Sequence, residues 1–113
     1  NAASTAAKGR AGEERAVAFL ESCGYRVIAR NVRLPGGEID AVCLDGATLV
    51  IVEVKRRDGA AFGPALGAVG ARKRATLRRL AADYAQVVAP SAAIRFDVVA
   101  LDGNRLRLHR NAF

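Results

Sequence analysis

The segment GGEIDAVCLDGATLVIVEVKRR, residues 36–57, predicts two β-strands joined by a tight turn. The second strand is almost entirely Val, Ile and Leu until it reaches Glu53 and Lys55. The first strand carries Glu38 and Asp40 among apolar neighbours. Charged side chains are rarely buried in a strand without a partner. These strand ends are therefore either solvated, or they converge on one site.

The turn between the two strands sets which acidic side chains meet. The Asp-Gly dipeptide at residues 45–46 favours a two-residue turn with these residues at its centre. In that register Glu38 lies opposite Glu53, and Asp40 lies diagonally next to Glu53. Side chains alternate along a strand, so Lys55 points to the same face as Glu53, roughly 7 Å away. We therefore expect three carboxylates and a lysine to share one face of the sheet.

Three carboxylates on adjacent strands repel one another unless a cation or protons compensate their charge. A hard divalent cation is the simplest compensation, because Mg²⁺ and Mn²⁺ prefer oxygen ligands. The alternative is structural: Lys55 would neutralise part of the charge, and the cluster would be an ion-paired strand end. The residues alone leave both interpretations open.

Outside this hairpin the pattern predicts two helices and three more strands. We expect a helix from about Ala7 to Cys23, strands at Tyr25–Arg33, Glu38–Leu44 and Leu49–Lys55, a helix from about Gly70 to Val88, and strands at Ile94–Leu101 and Arg105–His109. The apolar stripe of the second helix consists of Leu77, Leu80, Ala81, Tyr84 and Val88. Segment 56–70 is rich in Gly and contains Pro, which predicts a loop. The order α-β-β-β-α-β-β predicts an α/β fold in which helices flank a mixed sheet.

A length of 113 residues predicts a single domain that spans residues 1–113. The sequence starts at Asn1 without a Met, and residues 1–6 are expected to be disordered or to derive from cloning. Cys23 and Cys43 have no metal-ligand spacing, so we expect free thiols. No apolar run is long enough to span a membrane and no signal peptide is recognisable, so we expect a cytoplasmic protein.

The chain is strongly basic. Eighteen Lys and Arg residues against eleven Asp and Glu residues give a formal net charge of +7. This excess favours a polyanionic partner, most simply nucleic acid. The candidates for phosphate contact near the acidic strand ends are Arg56, Arg57, Arg72, Lys73 and Arg78. A charge run of this kind is more often a solvated face, so its position beside the acids is what favours phosphate binding.

An acidic residue on the first helix adds to the cluster. Glu13 lies one turn before Val17 and two turns before Leu20, which places it on the apolar face of this helix. Its neighbour Glu14 points to the solvated side. A carboxylate on a buried face needs a partner, and we expect that partner to be the acid cluster with its cation, or a basic residue.

Four segments carry a resemblance to a known family. They are GRAGEERAVAFLESCGYRVIARNVR, GGEIDAV, VIVEVKRR and RFDVVAL. On these segments the chain resembles the YraN-like family of small uncharacterised bacterial proteins. That family resembles the PD-(D/E)XK nuclease superfamily, and within it the archaeal Holliday-junction resolvases. The resemblance covers about Gly9 to Leu101, and Ile39 stands where the superfamily motif has Pro.

The resemblance implies a restriction-endonuclease-like fold. It also implies a Mg²⁺- or Mn²⁺-dependent endonuclease that hydrolyses phosphodiester bonds in DNA, including branched or junction DNA. Asp40 and Glu53, with the Val54 carbonyl, would bind the metal ion. Lys55 would hold or deprotonate the attacking water, and Glu13 would hold a water molecule or a second ion.

Two other functions remain open. A nucleic-acid-binding module would keep the fold without turnover, and a small interaction protein would keep its acids paired with Arg. The presence of all four residues of the implied catalytic set argues against a pure binder, which does not need a metal-ready cluster. Symmetric cutting of a junction would suit a homodimer with two-fold symmetry. Asp97 is expected to be structural and paired with Arg95 or Arg105.

Overall fold

The computed structural model describes the backbone of residues 2–57 and 69–113, and the side chains of residues 11–56 and 69–113. Its elements in chain order are α1 (Ala2–Ser22), β1 (Arg26–Leu34), β2 (Gly37–Asp45), β3 (Thr48–Arg57), α2 (Ala71–Val88), β4 (Ile94–Asp102) and β5 (Arg105–His109). This order confirms the predicted α/β fold.

The element bounds lie close to the predicted ones, apart from the start of the first helix. α1 begins at Ala2, earlier than the residue 7 that the periodicity indicated. The helical backbone therefore takes in residues 2–6, for which we expected disorder or a cloning origin. Most of the predicted loop, residues 58–68, lies outside the described residues.

All five described strands form one mixed sheet in the order β1-β2-β3-β4-β5. The pairs β1–β2, β2–β3 and β4–β5 are antiparallel, and β3–β4 is parallel. Parallel neighbours require a crossover connection, and α2 lies in the segment that joins β3 to β4.

Each face of the sheet is covered by one helix. The cluster on the α1 side consists of the buried residues Ala16, Leu20, Tyr25, Ala41, Cys43, Val50, Val52 and Val99. The cluster on the α2 side consists of Ile39, Val42, Leu49, Ile51, Leu77, Leu80, Ala81 and Ala85. Val88, predicted to lie on the stripe of α2, is 49% exposed. The buried residues of α2 end at Ala85, one turn before Val88, which is the last residue of the helix.

The turn between β2 and β3 is centred on Gly46 and Ala47 rather than on residues 45–46. Gly46 has a φ of 60°, and a type II′ turn favours glycine at this first central position. The register is moved by two residues, so the prediction that Glu38 lies opposite Glu53 is wrong. Because side chains alternate with a period of two, this shift alone changes the face of no side chain.

A buried polar network ties β4 to the start of β1 and to the C-terminal tail. Asp97 is fully buried and accepts a hydrogen bond from Tyr25 Oη at 2.5 Å. The Arg95 guanidinium donates to both carboxylate oxygens of Asp97 at 2.9 Å, and the Asn111 N–H donates at 2.9 Å. Arg95 also donates to Asp45 at 2.9 Å. The expected pairing of Asp97 with Arg95 is confirmed.

The stability of the fold is expected to depend on the charge of Asp97. Burial alone raises the pKa of Asp97, but the hydrogen bonds from Arg95, Tyr25 and Asn111 together hold it below its usual range. The stabilisation is therefore fully present above the unfolded pKa, about 3.9, and is lost as the pH falls from there through the folded pKa.

Urea unfolding of the parent and of Asp97→Asn across this range measures the effect. The difference in unfolding free energy between the two proteins should be largest at neutral pH. It should shrink below about pH 4, where the carboxyl becomes protonated in the unfolded state while the folded parent still keeps its charge. A difference that stays constant down to pH 2 would show that the charge of Asp97 does not contribute.

Two further expectations concern the thiols and the membrane. Cys23 and Cys43 are free, as predicted. Neither described helix combines the length and the apolar character needed to cross a bilayer.

Candidate functional site

Asp40 and Glu53 meet where the β2–β3 ladder ends. The last ladder pair is Ala41 with Val52, so Asp40 and Glu53 are the next residues on the two strands. Beyond this point β2 continues along β1 to Gly37, and β3 continues along β4. The Asp40 carboxylate accepts a hydrogen bond from the Val54 N–H at 2.8 Å. The Asp40 side chain therefore accepts a hydrogen bond from the β3 backbone at the strand fork, the point where β2 and β3 separate.

The alternation of side chains is broken at Asp40. Its neighbours Ile39 and Ala41 would share a face in a regular strand, but Ile39 packs on the α2 side and Ala41 on the α1 side. On the adjacent strand β1, Asn31 lies between the paired residues at the same level, and its φ is 50°. Asn tolerates this left-handed conformation better than most residues. The break places Asp40 within reach of both faces.

The contact with Glu53 and partial burial make the Asp40 carboxyl harder to ionise. Asp40 is half-buried, and burial is the main cause that raises its pKa to about 7. The hydrogen bond and the negative charge of Glu53 raise it further, whereas the Val54 N–H and the charge of Lys73 act in the opposite direction. A carboxyl pair of this kind holds a proton until a cation replaces it.

Lys73, on the first turn of α2, supplies the cation at this pair. Its Nζ lies 3.4 Å from Glu53 Oε2. The Glu53 side chain is only 8% exposed and that of Lys73 is 45% exposed. Among the described residues, Lys73 is the cation that forms an ion pair with Glu53. Lys55 follows two positions later on β3, half-buried and paired with Ala100 in the parallel ladder.

Glu13 approaches Asp40 from the α1 side. The two residues line the same cavity of about 260 Å³, together with Arg30, Asn31 and Arg56. Glu13 is exposed, not buried as its helical position indicated, and its carboxylate accepts a hydrogen bond from Asn31 Nδ2 at 3.3 Å. The Asn31 amide is the partner that the sequence left undefined.

The Arg56 side chain lines this cavity and lies against Gly12 of α1, which has no Cβ atom. A Cβ atom at Gly12 would collide with Arg56 Nη2, so only glycine lets the guanidinium lie there. Arg30, on the neighbouring strand, forms an ion pair with Glu14 at 2.8 Å. Arg30, Asn31 and Arg56 therefore line an opening together with the acids Glu13 and Asp40.

The acidic cluster is smaller than predicted. Glu38 lies outside it, 41% exposed and 3.9 Å from Arg33. Glu53 pairs with Lys73 on the α2 side, so it lies on the opposite face from Glu13. Within the described part of the chain, no three His, Cys, Asp or Glu side chains lie close enough together to hold a metal ion. The expectation of three carboxylates on one face is wrong, because the break in alternation at Asp40 puts Glu38 on the opposite face from Glu53, whereas Asp40 still contacts Glu53.

The basic residues are dispersed. Arg72 is exposed on α2, and the side chain of Arg57 lies outside the described residues. Arg78 lies over the rings of Phe96 and Phe113, 6.0 and 5.5 Å from the ring centres, which stack on each other. Aromatic rings thus engage this guanidinium, which was predicted to contact phosphate.

The sequence matches a known protein family. Residues 12–101 match the sequence model described as uncharacterised protein family UPF0102. The chain belongs to this family. The YraN-like resemblance is thereby confirmed.

Relatives in the UPF0102 family extend the match over nearly the whole chain. A UPF0102 protein of Shewanella loihica is 43% identical over 106 residues, which cover 94% of this chain and 93% of the relative. One from Symbiobacterium thermophilum is 49% identical over 111 residues, covering 93% and 94%. One from Ralstonia pickettii is 45% identical over 114 residues, covering 96% and 91%. These names state a family and no activity, so function rests on the site.

Three residues of this UPF0102 protein's site were not among the predicted functional residues. Asn31 and Arg30 line the cavity, and Gly12 seats Arg56. An asparagine inside an otherwise strand-like segment was the available signal for Asn31, because asparagine favours left-handed conformations. The sequence carries no comparable signal for Arg30, whose place depends on the packing of α1 against β1.

Proposed function

We propose that this protein is a divalent-metal-dependent nuclease that hydrolyses phosphodiester bonds in DNA. The observation that carries the proposal is the contact between two carboxyl groups at the end of the β2–β3 ladder: half-buried Asp40, whose pKa is raised to about 7, and buried Glu53. An arrangement that disfavours its own ionisation is costly for stability and is typical of sites that bind a cation or carry out chemistry.

The donor set fits a hard divalent cation. Mg²⁺ is commonly bound through one or two carboxylates, with water and substrate phosphate completing its ligands. Asp40 and Glu53 provide two carboxylates, and the Lys73 ammonium at 3.4 Å from Glu53 shows that a positive charge is stabilised there. The Val54 carbonyl, next to the N–H that binds Asp40, is the proposed third protein ligand. A bound ion would polarise the phosphate and lower the pKa of a coordinated water.

The residues of the chain have separate tasks in this proposal. The Val54 N–H orients the Asp40 carboxylate at the strand fork. Lys73, already in place beside Glu53, and Lys55, which follows Glu53 on β3, are the candidates to stabilise the negative charge that develops on the phosphate. Glu13, held by Asn31 on the other side of Asp40, is positioned to accept a proton or hold a water molecule.

DNA binding rests on charge rather than on base recognition. The net charge of +7 favours a polyanion. Arg56 lies beside the carboxylates and Arg72 is exposed on α2, so these two are the proposed phosphate contacts. Arg30 also lines the cavity, but it forms an ion pair with Glu14. Lys73 has its ion pair with Glu53 and Arg78 its aromatic rings, and both are therefore weaker candidates.

The Lys73–Glu53 contact also favours a second function. In a non-catalytic nucleic-acid-binding module or a small interaction protein, this ion pair would be structural and no metal ion would be needed. The two alternatives differ in their response to divalent cations, because only a metal site gains stability from them.

The test is a cleavage assay on single-stranded, duplex and branched DNA with Mg²⁺ or Mn²⁺, run on the parent and on Glu53→Gln. The parent should cleave at least one substrate, the variant none, and a chelator should stop the reaction. In thermal unfolding the metal should stabilise the parent and not the variant. If no substrate is cleaved and neither metal stabilises the protein, the nuclease proposal is wrong and the Lys73–Glu53 contact is a structural ion pair.

A further inference from the structure

The cavity on the α1 side of Asp40 lies next to the proposed cleavage site, which is formed by Asp40 and Glu53, and is distinct from it. Asp40 lines it, whereas among the described residues Glu53, Lys55 and Lys73 do not. Asp40 contacts Glu53 as well. A group inside the cavity would therefore adjoin a phosphate held at the two carboxylates.

The lining of the cavity combines an apolar wall with a polar rim. Val17 and Leu20 of α1 and Val54 of β3 form part of the wall. Arg30 and Arg56 also line the cavity, together with the acids Glu13 and Asp40. A phosphate ion makes no favourable contact with an apolar wall. A nucleotide does, because it combines an anion with a ring whose faces are apolar.

The backbone is shaped to bring polar groups to this cavity. Asn31 adopts a φ of 50°, a conformation that costs energy for a non-glycine residue, and it lines the cavity. Gly12 lacks the Cβ that would displace Arg56. Both features lie at the same opening.

We propose that this cavity holds one unpaired nucleotide of the DNA strand, adjacent to the phosphate at Asp40 and Glu53; the inference builds on the proposed nuclease function. A volume of about 260 Å³ lies below the roughly 300–1,000 Å³ of pockets for drug-sized ligands, so it suits a single nucleotide and not a base pair. A paired base enters such a pocket only after it has left the stack. The site therefore selects single strands and branch points over intact duplex.

The test measures DNA binding by fluorescence anisotropy in the presence of a chelator, which prevents cleavage. The parent should bind a single-stranded oligonucleotide more tightly than a blunt duplex of equal length. Val17→Phe places a ring in the cavity and should weaken single-strand binding roughly ten-fold while duplex binding stays within about two-fold. Ala18→Phe, exposed on the same helix, is the matched control and should change neither.

A second variant avoids any effect of added bulk. Asn31→Gly keeps the left-handed backbone and removes the amide, so it should also weaken single-strand binding selectively. Asn111→Gly is its control, because Asn111 has a φ of 52° and does not line the cavity. If Asn31 is needed only for its backbone conformation, Asn31→Gly will bind like the parent.

Three results would overturn the inference: equal affinity of the parent for single strand and duplex, equal weakening of both by Val17→Phe, or parental single-strand binding in both cavity variants. Binding of a free mononucleotide as tight as that of the oligonucleotide would also overturn it, in favour of a small-molecule site. These measurements need no cleavage. If the parent cleaves DNA with a metal ion but Val17→Phe binds single-stranded DNA like the parent, the nucleotide-binding role of the cavity is refuted and the nuclease proposal still stands.

Discussion

Asp40→Asn should reduce DNA cleavage roughly 1,000-fold or more, equivalent to ~4 kcal/mol of transition-state stabilisation. Asparagine retains an oxygen that accepts the Val54 N–H, so the strand fork should persist. What it removes is the negative charge that a divalent cation needs. DNA affinity without metal should stay the same or increase, because a negative charge near phosphate has been removed. The comparison is best made near pH 8, above the pKa of about 7 for Asp40 in the parent.

Glu38→Gln is the matched control for this prediction. It removes one carboxylate from the same strand, but Glu38 lies outside the acid pair and its nearest charged partner is Arg33. Cleavage by this variant should remain within a few-fold of the parent. Parental cleavage by Asp40→Asn, or an equal loss in Glu38→Gln, would remove Asp40 from the proposed metal site.

Asp97→Ala should lower the free energy of unfolding by about 3–5 kcal/mol, the range for removing one member of a buried ion pair. The Asp97 carboxylate is fully buried and accepts hydrogen bonds from Tyr25, Arg95 and the Asn111 N–H. Without it these donors lose their acceptor, and Asp45 is the carboxylate partner that the guanidinium keeps among the described residues. Small domains are commonly stable by only 5–15 kcal/mol, so a loss of this size consumes much of the total.

Denaturant unfolding at neutral pH measures the loss, and Asp102→Ala is the control. Asp102 is exposed at the end of the same strand, so its removal should change the free energy of unfolding by no more than about 0.5 kcal/mol. A loss below about 1 kcal/mol in Asp97→Ala would mean that the network is not a principal support of the fold.

Local patterns in the sequence were sufficient for the fold. Alternating apolar residues and turn signals predicted every described strand, and the helical period predicted both described helices. The same reasoning brought Asp40 and Glu53 together, because a hairpin with a tight turn makes their positions neighbours in the predicted register and also in the observed one. These inferences succeeded because they depend on residues close together in the chain, whose geometry the backbone repeats impose.

Tertiary packing decided the composition of the site. Lys73 pairs with Glu53 because the crossover lays α2 against one face, a contact that strand alternation could not anticipate when it favoured Lys55. Glu13 reaches Asp40 from the other face only because both β1 and β2 break their alternation at Asn31 and Asp40. Such contacts join residues far apart in sequence, and they depend on how helices dock on a twisted sheet, which no local period encodes.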